Sequence, residues 1–271
     1  MVELATIAFF LGVIAYSAAA TLFFLDLTRR ASGVLAPWAP ITLGVGAVFH
    51  ATHVVSASLL SRVCPVESIH FALSLTALMA VVTYLALRRR FRLHAVGAFV
   101  APVALTFLVG AQFVGIHGPP PGVPRSLLAL HVTANLLGVG LFLLAGAAGG
   151  FYVLHENRLK QKRAGWLTGK LPPLEALDRT EHRLLLAGFP LLTLGIVTGA
   201  VFASGGFGGT FTEVLRAVLA YGTWLLVAAV LVMRVLAGWR GRRAAYGTIA
   251  GAVCVLLIIA LYVVRPSGGG L

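Results

Sequence analysis

The lysines and arginines of this chain are distributed so unevenly around its apolar runs that they set how many times it can cross a membrane. Eight stretches are long and apolar enough to span a bilayer, at about 4–25, 36–60, 68–87, 95–116, 127–154, 184–204, 214–233 and 244–264. We label the loops alternately outer and inner, beginning with an outer N-terminus. The outer side then holds only Arg62, Arg125, Arg216 and Arg265. The other seventeen of the 21 Lys and Arg fall on the inner side, including Arg29, Arg30, Arg88, Arg89, Arg90, Arg158, Lys160, Arg240, Arg242 and Arg243. Cytoplasmic loops retain Lys and Arg, and one span more or fewer would scramble the alternation. The pattern predicts an all-α polytopic bundle of eight transmembrane helices with both termini on the outer side, a single transmembrane domain over residues 1–271. Helices are the natural spanning element because every backbone polar group is then satisfied within its own segment.

Composition excludes the soluble globular class: 59% of residues are hydrophobic and only 11% charged. The net charge of +13 does not indicate nucleic-acid binding, because it lies in short juxtamembrane loops facing anionic lipid headgroups. Cys64 and Cys254 make no disulfide framework, and the sequence has no Cys cluster of metal-binding type. The first span starts almost at Met1 without a basic leader, which reads as a retained anchor. The expected location is the inner (plasma) membrane of a prokaryote-type cell.

Between the spans, residues 155–183 form the one sizeable segment. They read as a cytoplasmic loop: a continuation of span five, a turn at Pro172 and Pro173, and a short amphipathic piece. The outer loops are short. One is stiffened by Pro119, Pro120, Pro121 and Pro124, and another is rich in glycine at 205–209. That glycine run lacks the preceding strand and following Lys of a phosphate loop. Trp166 and Trp239 read as interfacial anchors, with the arginines of WRGRR on headgroups. Gly138, Gly140, Gly146, Gly149 and Gly150 in span five let neighbouring helices approach closely, which predicts a central position for it.

Polar groups inside spans are costly and mark function. His94, His155 and His182 fall at inner helix ends and read as solvated. The other five of the eight histidines, His50, His53, His70, His117 and His131, all map to the outer half. His50 and His53 are three apart and share a helix face. No Asp or Glu is expected deep in a span, which argues against a carboxylate-lined proton or cation path and makes a transporter the weaker reading. Imidazoles without carboxylates or thiolates suit haem, whose macrocycle is apolar and whose iron accepts axial His. Arg62, Arg125 and Arg216 lie on the same side for its propionates. The competing reading is structural, since a single His at a helix end is more often a hydrogen-bonded interfacial residue. Asn135 can bond a neighbouring helix or orient His131. Thr52, Ser56 and Ser58 can orient His50 and His53 or merely bond back to their own helix. No Ser/His/Asp or Cys/His arrangement stands out, so no catalytic residue is assigned and no complete catalytic constellation is visible.

Three stretches carry a resemblance: LLALHVTANLLGVG opening span five, LDRTEHRLLLAGFPLLTLGIVTGA entering span six, and GWRGRRAAYGTIAGA before span eight. Together they resemble the integral-membrane cytochrome c assembly family (CcsA/HemX/YpjD-like proteins), most strongly over 126–264. The resemblance implies haem handling at the outer face, and delivery of haem to apocytochrome c with another membrane component of cytochrome c assembly as partner. It implies that His131 is an outer-side ligand to haem iron, and that His50 or His53 matches a second outer histidine. Two features depart from the family pattern. Its assembling members carry a Trp-rich WGxxWxWD-type loop between spans six and seven, where this chain has ASGGFGGTFTE. No histidine follows His182, so His131 must pair with another of the five outer histidines. This places the chain closer to the HemX/YpjD-like branch. The alternative role is then a non-catalytic regulator or scaffold of haem biosynthesis that docks a cytoplasmic enzyme through 155–183.

Overall fold

A computed structural model describes residues 1–28, 37–89, 94–112, 116, 124–162, 171–203 and 211–263. They form eight helices: α1 Val2–Thr28, α2 Trp38–Ser61, α3 Ile69–Leu87, α4 Gly97–Ala111, α5 Arg125–Lys160, α6 Leu174–Ala203, α7 Phe211–Leu236 and α8 Arg242–Val263. A single 3-10 turn at His94–Val96 leads into α4. Each helix is long and apolar enough, with the turn added to α4, to cross a membrane. No strand occurs among the described residues. Large apolar side chains such as Ile7, Phe10, Ile14, Val48 and Val55 remain exposed on the bundle's outside, as hydrocarbon contact permits.

Helix ends fall where the backbone chemistry changes. α2 stops at Arg62, which is left-handed at φ 55°, and α3 starts from an extended Ser68. α5 starts after an extended Pro124, whose missing N–H removes a donor from the helix entry. Gly238, at φ +64°, turns the chain past α7 so that the Trp239 N–H returns to the Met233 carbonyl.

Helices α1–α4 pack as one group and α5–α8 as another, joined through α3 and α5. α5 touches α3, α6 and α8, the central position that its glycines predict. A Cβ on Gly149 would lie 3.4 Å from the Ala245 backbone on α8, and one on Gly138 would lie 3.1 Å from the Leu192 backbone nitrogen on α6. Without a hydrophobic force between helices in lipid, such close backbone approach supplies the dispersion contact that holds them. Tyr16, Phe23, Phe71, Tyr84 and Leu108 are buried in the α1–α4 group, and Phe142 of α5 is buried against Gly251 of α8.

Expectation and structure part at one boundary. α6 starts at Leu174 and runs without a break to Ala203, whereas the sequence suggested an amphipathic piece followed by a span from 184. Leu177, Leu184 and Leu185 are buried along the helix, and Glu181 is fully buried among them. Glu181 is thus an acid buried by protein two turns into α6, near the basic end of the bundle. α5 also runs on past 154 to Lys160. Trp166, the proline run at 119–121, the glycine run at 205–209 and Arg265 lie outside the described residues.

Candidate functional site

His131 sits two turns into α5 and faces α6. Two glycines of α6 make room there. A Cβ on Gly199 would come 3.1 Å from His131 Cε1, and one on Gly195 would overlap the Asn135 amide. His131 Nδ1 lies 2.8 Å from Thr198 Oγ1. The Thr198 hydroxyl also lies 2.7 Å from the Leu194 carbonyl, which can only accept. With that proton used on its own helix, the oxygen is placed to accept from the imidazole, the arrangement in which His131 is the Nδ1–H tautomer. A neutral imidazole that donates at Nδ1 carries its lone pair at Nε2, the arrangement of a metal-binding histidine held by an outer hydrogen bond. Asn135 Nδ2 donates to the His131 carbonyl at 2.8 Å and lies beside the ring at 3.3 and 3.4 Å.

His53 reaches the same tautomer by a separate route. Its Nδ1 donates to the Ala5 carbonyl at 2.9 Å, and its Nε2 accepts from Gln112 Nε2 at 3.1 Å. His50, one turn earlier on α2, is fully buried, with Nδ1 3.1 Å from the Tyr16 hydroxyl and Nε2 2.6 Å from Ser74 Oγ. Both of its ring nitrogens tie α2 to α1 and α3, so ligation would break a buried bond. His70 is buried on the first turn of α3, edge-on to Phe71 at 4.9 Å. His117 lies outside the described residues. The structure thus gathers His50 and His53 among α1–α4 and sets His131 against α6. Thr52 bonds back to Val48 and Ser58 to Val63, so neither hydroxyl orients a histidine. Among the described residues no group of three or more His, Cys, Asp or Glu converges as a metal-ion site. An axial imidazole needs no such group.

The arginines of this end differ. Arg62 ends α2. Arg125 is largely exposed and pairs with Glu67 at 3.6 Å. Arg216 is buried and donates to the Leu261 carbonyl at 2.5 Å, tying α7 to the end of α8.

At the opposite, basic end the structure shows a cluster that sequence reasoning missed. Arg234 of α7 lies 3.1 Å from Asp178 Oδ1 and 3.3 Å from Glu181 Oε2, both on α6. Thr248 of α8 donates to Glu181 Oε1 at 2.5 Å, and the Gly241 N–H donates to Asp178 Oδ1 at 2.8 Å. Arg242 donates to Asn157 on α5 at 3.0 Å. The two motif stretches LDRTEHR and GWRGRR are therefore bonded to each other across the bundle. His155 is buried, with Nδ1 donating to the Pro172 carbonyl at 3.0 Å, rather than solvated. His94 instead faces Asp26 at 3.4 Å.

A family model described as cytochrome C assembly protein matches residues 46–271. That range takes in His50, His53 and His70 as well as the stretches that carried the resemblance. Similar curated proteins include the cytochrome c biogenesis protein CcsA of Prochlorococcus marinus (strain NATL2A), 28% identical over 226 residues and covering 71% of each chain. CcsA of Guillardia theta is 29% identical over 60% of this chain and 61% of its own. CcsA of Synechocystis sp. (strain ATCC 27184 / PCC 6803 / Kazusa) is 32% identical over 59% of this chain, which spans only 49% of that relative. No solved structure matches the chain. A match over this much of an eight-helix membrane protein shows that the chain belongs to the cytochrome c assembly protein family.

Proposed function

We propose that this protein handles haem in the membrane for cytochrome c assembly, holding it at the end of the bundle opposite the basic loops, with His131 as an axial ligand to the iron. The observation that carries this reading is the 2.8 Å contact of His131 Nδ1 with the Thr198 hydroxyl, itself bonded to the Leu194 carbonyl; with Nδ1 as donor there, Nε2 is the basic nitrogen. Haem would supply an iron that takes axial imidazole and a macrocycle that partitions into an apolar bundle. His53 and His50 are each hydrogen-bonded at both ring nitrogens. His53 is the better second ligand because its ring gives up one bond, to the part-buried Gln112 amide, whereas both partners of His50 are buried. His70 and His117 complete the set to be tested. The excess of Lys and Arg at the opposite end supports an outer-face placement, in a prokaryote-type inner membrane. A further membrane component of cytochrome c assembly is the expected partner. The compared relatives are named for cytochrome c biogenesis, which favours this reading over a regulator acting through 155–183.

His131→Ala is expected to lower the haem that co-purifies from membranes by about tenfold or more, measured as pyridine haemochrome per protein, with the elution profile in detergent unchanged. Unaltered haem content in a folded variant would remove His131 as the ligand.

A further inference from the structure

The arrangement around Thr198 assigns a role to a residue that touches the imidazole and has no place among the ligand candidates. We propose that Thr198 is the positioning residue of His131, setting its tautomer and thereby the donor strength of Nε2. The half of this inference that concerns iron rests on the haem reading above. The half that concerns the tautomer does not.

A threonine hydroxyl has one donor and two acceptor sites. Back-bonding to the carbonyl four residues earlier is common in helices, and here the 2.7 Å contact to Leu194 uses the donor. The oxygen is then placed to accept from the facing nitrogen, Nδ1, while the Asn135 amide beside the ring, 3.3 Å from Nδ1, makes its shorter bond to the His131 carbonyl at 2.8 Å. Gly199 lets the ring come this close: Cε1 and Nδ1 are the histidine atoms nearest to where its Cβ would stand, at 3.1 and 3.7 Å. The Gly195 carbonyl, 3.1 Å from the Thr198 hydroxyl, is a second acceptor for the same proton. Thr198 is itself buried, so water does not compete for the bond. A hydrogen bond accepted from Nδ1–H makes Nε2 a stronger donor, which steadies ferric over ferrous iron and tightens binding.

Two variants separate this role from simple packing. Thr198→Val keeps the volume and removes the oxygen, whereas Thr198→Ser keeps the oxygen. In haem-free protein labelled with 15N-histidine, the His131 signals are identified by their absence in His131→Ala. Wild type and Thr198→Ser are expected to show protonated Nδ1 and bare Nε2. Thr198→Val is expected to show a growing share of the opposite tautomer. With added haemin, Thr198→Val is expected to bind about 10–100-fold more weakly, the usual effect of losing an outer partner. The reduction potential of its bound haem should rise and its low-spin ferric g-values should shift, with Thr198→Ser restoring both. An unchanged tautomer in Thr198→Val would overturn the positioning role. A changed tautomer with unchanged haem affinity, potential and g-values would overturn its effect on the iron. Wild-type protein that binds no haemin yet shows the tautomer change would sink the haem reading and leave the positioning of His131 standing.

Discussion

Arg234→Met is expected to destabilise the folded bundle by about 3–5 kcal/mol, the usual result of removing one partner from a buried ion pair. Arg234 is the cation that faces both Asp178 and Glu181, at 3.1 and 3.3 Å. Glu181 is fully buried, so water cannot take over when the guanidinium leaves. Asp178 keeps the Gly241 N–H and Glu181 keeps Thr248, but neither donor carries charge. Unfolding by SDS titration of the detergent-solubilised protein measures the loss. Glu181→Gln in the same chain should recover part of it, because the remaining acid, Asp178, is the less buried of the two. A variant as stable as wild type would show that the cluster contributes no net stabilisation.

Gly195→Leu is expected to be the most damaging single change at the α5–α6 seam. The first added carbon already overlaps the Asn135 amide, and three more would drive the two helices apart. Overpacking of this kind costs about 1–3 kcal/mol. The change also moves the surface on which His131 rests, since Thr198 and Gly199 lie on the next turn of α6. Loss of haem binding should therefore exceed the loss of stability. Gly222→Leu on α7, where an added Cβ meets nothing within 4 Å, is the control and should leave both unchanged. Equal, small effects of the two variants would show that α5 and α6 are not in close contact at Gly195.

The fold was largely legible in the chain because its evidence is local. Apolar run length and the side on which Lys and Arg fall are read along the sequence, and all eight spans reappear as helices. The start of α6 was not legible, because Asp178 and Glu181 look solvated until Arg234 is brought against them by the fold. The site divides in the same way. His131 stands out in sequence as an imidazole at the outer end of an apolar span, and the family resemblance points to the same residue. Thr198 lies 67 positions away, and only the packing of α5 on α6 brings them together. His50 and His53 look equivalent in sequence, one turn apart on one helix. Their partners on α1, α3 and α4 tie both rings at both nitrogens, His50 to Tyr16 and Ser74, His53 to the Ala5 carbonyl and the Gln112 amide, and it is Gln112 that ligation by His53 would displace.

The most direct test of the account is a haemin titration of the detergent-purified protein, followed by its absorption spectrum in oxidised and dithionite-reduced states, for wild type, His131→Ala, His53→Ala and His50→Ala. The account predicts a saturable Soret band in wild type with sharp reduced α and β bands, lost in His131→Ala and weakened in His53→Ala. In His50→Ala the band should persist in whatever fraction folds. A wild-type protein that develops no Soret band, or one whose band is unchanged in His131→Ala, would contradict it.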